Sequence, residues 1–152
     1  MIRSARFSDY ERVIEMLAKF ADHAPLSIFH DPDYDHQRIL RVLQQTQQSG
    51  CVLVAVDRTD TPQGMIIARI VDDVWMPEIK FLRELAWWVE PEYRGTTMGY
   101  RLLCEYREFG RDLFDRGIVS GTVLTNMINS PDFDLEKRGW QKIEQNYILK
   151  EQ

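Results

Sequence analysis

Residues Leu85–Tyr106 read LAWWVEPEYRGTTMGYRLLCEY, and the interpretation of this stretch decides the fold. Leu85 to Val89 is a short, bulky apolar run with two tryptophans, the composition of a buried strand. Glu90-Pro91 ends it, because proline has no N–H for a ladder and pushes its neighbour out of the helical region. Arg94-Gly95-Thr96-Thr97-Met98-Gly99 follows, and a helix opens within it. A helix entered through small, glycine-bearing residues offers free backbone N–H groups and the positive end of its dipole. That combination is an anion site, above all for phosphate.

Outward from this stretch, the strand extends upstream to Lys80 and the helix runs from about Met98 to Arg116, capped by Gly117. Ile118 to Leu124 (IVSGTVL) is a further strand, with Gly121 at a bulge or close approach. Ser130-Pro131 starts another helix that ends at Arg138-Gly139, and Trp140 to Lys150 (WQKIEQNYILK) closes the chain as one strand or a bent pair. On the other side, Cys51–Val56 and Met65–Val71 are β-branched apolar runs joined by the turn cluster Thr59–Gly64, a hairpin. Ile2 to Phe7 alternates like an edge strand, and Ser8 with Glu11 has capping-box spacing. Val13, Met16, Leu17 and Phe20 then share one face of a helix ending near Ala21. Asp22 to Asp31 reads as a loop carrying His23, Phe29 and His30. Asp31-Pro32 resembles a helix start, and Ile39, Leu40, Val42 and Leu43 continue that helix to Ser49-Gly50. This order predicts one α/β domain over residues 1–152, a mixed sheet with helices on both sides.

Composition narrows the function classes. Hydrophobic residues at 44% and charged residues at 28% are globular values, and a net charge of -5 argues against general nucleic-acid binding. Cys51 and Cys104 have no paired spacing and read as free thiols, and His23, His30 and His36 are not spaced as metal ligands, so no metal is assigned. Arg3, Arg6 and Asp9 interrupt any signal peptide, and no segment is long enough to span a membrane. A cytoplasmic protein is expected.

The stretch VEPEYRGTTMGYRLL, directly after a strand, resembles the acyl-CoA-binding motif of the GNAT superfamily of N-acetyltransferases. The family pattern is Arg or Gln, two residues, Gly, any residue, then Gly or Ala, here Arg94 to Gly99. Glu136-Lys137-Arg138-Gly139-Trp140 resembles the family's last helix and strand. The resemblance implies a mostly antiparallel sheet of about six or seven strands with about four helices, splayed at the cofactor site. It implies acetyl transfer from acetyl-CoA to a primary amine, of a small molecule or a protein, by direct nucleophilic attack. The amides of Arg94, Gly95, Thr96, Thr97, Met98, Gly99 and Tyr100 would hold the pyrophosphate, and Trp87 and Val89 would bind pantetheine through their backbone. A backbone amide near Val89 would polarise the thioester carbonyl. Asn126 matches a family asparagine that contacts the cofactor, and Ser130 lies close by. Dimers are common in the family, so a homodimer is an expectation it carries.

Two departures matter: Thr97 stands at the position, two residues before Gly99, where the family pattern has glycine, and Leu135 stands where many members carry a tyrosine that protonates the leaving thiolate. Glu84, on the strand before the loop, is the candidate base, although a one-residue change of register would exchange it with Arg83. Trp87 and Trp88 should face opposite sides of the sheet. Phe29, His30, Tyr34 and Trp75 form, as a group, the candidate acceptor surface. The departures also leave an alternative: a CoA-binding regulatory or protein-interaction module with little or no turnover.

Overall fold

The computed structural model describes residues 1–30 and 33–149. Its central feature is the predicted strand, β4 (Lys80–Val89), which lies fourth in a sheet of order β1-β2-β3-β4-β5. The others are β1 (Ile2–Ser4), β2 (Gly50–Val56), β3 (Pro62–Asp72) and β5 (Gly121–Val123). The first four pair antiparallel in sequence order, and β5 pairs parallel to β4. Three helices cover the sheet: α1 (Tyr10–His23), α2 (His36–Ser49) and α3 (Met98–Asp115). The mixed, mostly antiparallel α/β architecture is therefore as expected, with five strands rather than six or seven and three α-helices rather than about four among the described residues.

Strand alternation divides the core in two. Val52, Val54, Met65, Ile67, Ala86 and Trp88 pack with Val13, Ile14, Met16 and Leu43 of α1 and α2. Cys51, Leu53, Ile66, Ala68 and Leu82 face Leu102, Tyr106 and Leu113 of α3. The close seat of α3 on β5 depends on Gly110, where a Cβ would lie 1.9 Å from Thr122 Oγ1.

One irregularity in β4 governs everything downstream. Ala68 stands opposite Glu84 and Ile67 opposite Ala86, so Leu85 has no partner and forms a β-bulge. The bulge resets the alternation, placing Leu82 and Glu84 on the α3 side with Trp87 and Val89, while Ala86 and Trp88 face α1 and α2. The C-terminal end of β4 is fixed by Glu90, which is 3% exposed. Its carboxylate accepts from Trp88 Nε1 at 2.9 Å and Lys19 Nζ at 2.6 Å, with Arg12 at 3.5 Å. Burial opposes ionisation of Glu90, but these donors more than offset it and hold its carboxyl below the usual range.

Several expectations are corrected. Trp140 to Leu149 forms no strand: the Trp140 N–H bonds back to Leu135 O at 3.0 Å, and residues 141–149 are exposed. Only three residues of β5 join the ladder, and among the described residues no strand forms beyond it. The helix expected from Ser130 is reduced to a 3-10 turn at Glu136–Arg138, because Asp134 takes a left-handed φ of 51°. Gly139, at φ 92°, does end that turn. At the N-terminus the cap belongs to Arg6, not Ser8, because Asp9 is held by Arg3 at 2.7 Å and accepts from Arg6 N–H at 2.7 Å. A 3-10 turn (Phe7–Asp9) therefore precedes α1. Gly121 makes neither bulge nor close approach, since a Cβ there would sit an ordinary 3.6 Å from Phe81. α2 is capped by Asp35, whose side chain accepts from Arg38 N–H at 3.2 Å. The expected Asp31-Pro32 helix start and Lys150 lie outside the described residues.

Candidate active site

The sheet forks where β5 leaves β4. Pairing runs from Phe81↔Gly121 to Arg83↔Val123, and beyond Arg83 that edge of β4 is open. At the far end the Glu90 N–H bonds Gln63 O of β3 at 2.8 Å. Because successive peptide groups alternate sides of a strand, Trp87 and Val89 direct their N–H and C=O groups into the opening. The Val89 C=O accepts from Arg94 Nε at 2.9 Å.

Glu84 stands at the apex. It is 6% exposed, and its Oε2 accepts the Thr125 N–H at 3.2 Å. Burial raises its carboxyl to about 7, against the smaller opposing pull of the Thr125 hydrogen bond. A carboxyl that is partly ionised near neutrality suits general-base work. It opens on a cleft of about 170 Å³ shared with Leu85 and Trp87 of β4 and Phe20 of α1. The opposite wall is Thr125, Asn126, Met127 and Ser130. Tyr106 reaches the same apex from α3, fully buried, its hydroxyl donating to Val123 O at 2.6 Å with Leu82 O at 3.3 Å.

The loop between β4 and α3 has the features of a phosphate seat. Gly95 adopts φ +82°, a left-handed conformation that strains other residues. Thr97, where the family pattern has glycine, holds helical angles (φ -79°, ψ 0°), so its Cβ is accommodated. Thr96 Oγ1 donates to Tyr93 O at 2.5 Å and stands 3.3 Å from the Met98 N–H. The Gly99 and Tyr100 amides precede the first turn's acceptors and are left to a ligand or water. Gly99 lies at a close approach: a Cβ there would meet the Phe133 ring at 3.1 Å. Phe133 also packs on Trp87, with ring centroids 4.8 Å apart. The Arg94 guanidinium lies over the Trp88 ring at 4.3 Å, folded toward the strand. Arg138 covers Tyr100 similarly at 4.4 Å.

The structure thus brings Glu84, Trp87, Asn126 and Ser130 to one cleft, with Val89 and Arg94 to Tyr100 beyond it. Phe29, His30, Tyr34 and Trp75 do not line that cleft. His30 Nε2 is 2.8 Å from Ala24 O, and Trp75 is 88% exposed in the β3–β4 turn. Leu135, in the tyrosine position, has no proton to give, and Tyr147 is exposed with its hydroxyl on Gln145. Phe20, Leu85, Thr125, Met127 and Phe133 escaped sequence reasoning. Only Phe20 carried a signal, its place on the apolar face of α1, and that signal reads as core. Among the described residues no group of three or more His, Cys, Asp or Glu could hold a metal, and no helix is long and apolar enough to cross a membrane. Burial pushes the Cys51 thiol up to about 12, well above thiolate chemistry.

Comparison with known proteins agrees with this geometry. The sequence model described as "Acetyltransferase (GNAT) family" matches residues 13–129. No curated protein matches the sequence. Among solved structures, an acetyltransferase of Trypanosoma brucei superposes with a TM-score of 0.71 at 19% identity, covering 99% of this chain and 98% of that one. A transcriptional regulator of Bacillus halodurans gives 0.70 at 17% identity, with coverages of 99% and 98%. Glucosamine-6-phosphate N-acetyltransferase of Arabidopsis thaliana gives 0.69 at 15%, with 99% and 97%. The family match takes in the forked strand, the glycine-bearing loop and α3, and the chain belongs to the GNAT family of acetyltransferases.

Proposed function

We propose that the protein is an N-acetyltransferase that moves the acetyl group of acetyl-CoA to a primary amine of a small molecule or a protein. The observation that carries this reading is the buried Glu84 carboxyl, raised to about 7, at the apex of a fork whose far end is a helix N-terminus. The amides of Gly99 and Tyr100, with the turn at Gly95, suit a pyrophosphate. The open edge of Trp87 and Val89 suits an extended amide-bearing arm. Glu84 takes the proton from the acceptor ammonium, directly or through one water. The neutral amine attacks the thioester carbonyl, whose developing charge is met by an outward N–H of β4 such as that of Val89. The C–S bond breaks, the nitrogen gives up its remaining excess proton to solvent, and the thiolate takes a proton from solvent, since Leu135 cannot supply one. Titration calorimetry with acetyl-CoA, paired with thiol release over a panel of amines, tests the reading. Binding and release together support it, and no binding overturns it.

Leu135 and the packing of Phe133 on Trp87 favour a second reading, a CoA-binding regulatory or protein-interaction module. Tight binding with no release for any amine selects it. A cytoplasmic protein, acting alone or as a homodimer, accords with either reading.

A further inference from the structure

The β4–β5 ladder does not fray at its end; two side chains terminate it. The first is Tyr106, whose hydroxyl donates to Val123 O at 2.6 Å, lies 3.3 Å from Leu82 O and is hydrogen-bonded by the Glu84 backbone. Arg83↔Val123 is the last pair of that ladder. The second is Glu84, whose carboxylate takes the Thr125 N–H, a donor two residues beyond the end of the ladder. A hydroxyl is both donor and acceptor, so it links two strands without drawing them to direct ladder spacing. The hydroxyl lies at full depth: Tyr106 is 0% exposed, and its ring stacks on Trp140 at 6.5 Å.

We infer that Tyr106 is a positioning residue that sets the depth of the fork, and with it the length of acyl group accepted beside Glu84. The inference rests on the acyl-CoA reading above. The phosphate seat lies beyond Val89, the C-terminal end of β4, and the apex at Glu84 lies five residues back along the strand, so the acyl end of an extended ligand is the part nearest Tyr106. In Tyr106→Phe no hydroxyl is wedged at Val123 C=O, so the strands can close, pairing can extend past Arg83↔Val123, and the fork becomes shallower. The ligand portion bound at the α3 loop is untouched.

The test is titration calorimetry of wild type and Tyr106→Phe with CoA, acetyl-CoA and propionyl-CoA. The expected result is a CoA affinity within about threefold of wild type, a loss of about tenfold for acetyl-CoA and a larger loss for propionyl-CoA. Equal losses for all three ligands, or none, overturn the inference, because a purely structural tyrosine would not sort ligands by acyl length. If wild type binds none of the three, the acyl-CoA reading itself falls. Hydrogen exchange over Leu124–Asn126 then still tests the fork: slower exchange in Tyr106→Phe supports ladder extension, and unchanged or faster exchange overturns it. Should Tyr106→Phe fail to fold, 3-fluorotyrosine at position 106, which keeps the ring and alters the hydroxyl's donor strength, is read in the same way.

Discussion

The Glu84 carboxylate accepts the backbone N–H of Thr125 at 3.2 Å across the opening between β4 and the chain leaving β5. One side chain therefore closes the end of the ladder and faces the cleft. Glu84→Gln keeps an acceptor for Thr125 and removes the proposed base, so kcat is expected to fall by about 10²- to 10⁴-fold. In the wild type, kcat/KM is expected to rise with pH through about 7 as Glu84 ionises. A Gln variant with wild-type turnover, or a wild-type profile flat through that region, removes Glu84 from the role.

The same carboxyl sets a dependence of stability on pH. Its folded pKa lies above its unfolded value, so its favourable contribution is complete below about 4.5 and is lost as pH rises through about 7. The loss amounts to at most about 3 kcal/mol. Glu84→Gln should consequently be more stable than wild type at pH 8, and that advantage should vanish near pH 4.5. Urea unfolding at both values measures it.

Gly95 has no atom within 4 Å of a would-be Cβ, yet its φ is +82°. Gly95→Ala is expected to lose about 1 kcal/mol through backbone strain alone. Gly99 presents the opposite case, limited by contact. Gly99→Glu is expected to abolish acetyl-CoA binding through charge and bulk at the phosphate seat, with the far-UV dichroism of wild type retained. Calorimetry that finds unchanged affinity refutes the seat.

The Glu90 carboxylate ties α1 to the end of β4. Glu90→Ala removes the acceptor of a buried Trp88 N–H and the partner of Lys19 and Arg12, and a loss of about 2 kcal/mol is expected. Lys19 is half exposed, which keeps its share small. Denaturant midpoints for Glu90→Ala and Lys19→Ala should differ accordingly, with the first shifted much more.

Gly110→Ala should cost about 1–3 kcal/mol, because its Cβ would lie 1.9 Å from Thr122 Oγ1. Adding Thr122→Ala removes that oxygen and the methyl at 3.0 Å, so the double variant should recover part of the loss. Strict additivity would show that α3 is not seated through this contact.

How much of this was legible depends on where the information resides. Lys80–Val89 was readable to the residue because Glu90-Pro91 and the apolar run are local signals. The opposed faces of Trp87 and Trp88 followed from alternation, and the loop from Arg94 to Gly99 from spacing. The bulge at Leu85 was not readable: it exists only in the count of partners on β3, and leucine carries no mark of it. Trp140 to Leu149 had an apolar pattern compatible with a strand, but a strand needs an edge to join as well as a pattern. The missing helix turned on the left-handed Asp134, a choice that capping signals at Ser130 and Gly139 do not reveal.

The Leu85 bulge works as a reading frame written in space. Upstream of it Leu82 and Glu84 are in phase with α3, and downstream of it Trp87 and Val89 are. Regular pairing through Leu85, with no residue left over, would leave every neighbour chemically intact and shift the phase of one half against the other. Glu84 would then fall in step with Ala86 and Trp88, beneath α1 and α2, and a buried carboxyl would enter an apolar core. A single silent-looking leucine thus determines which side of the protein its chemistry is on.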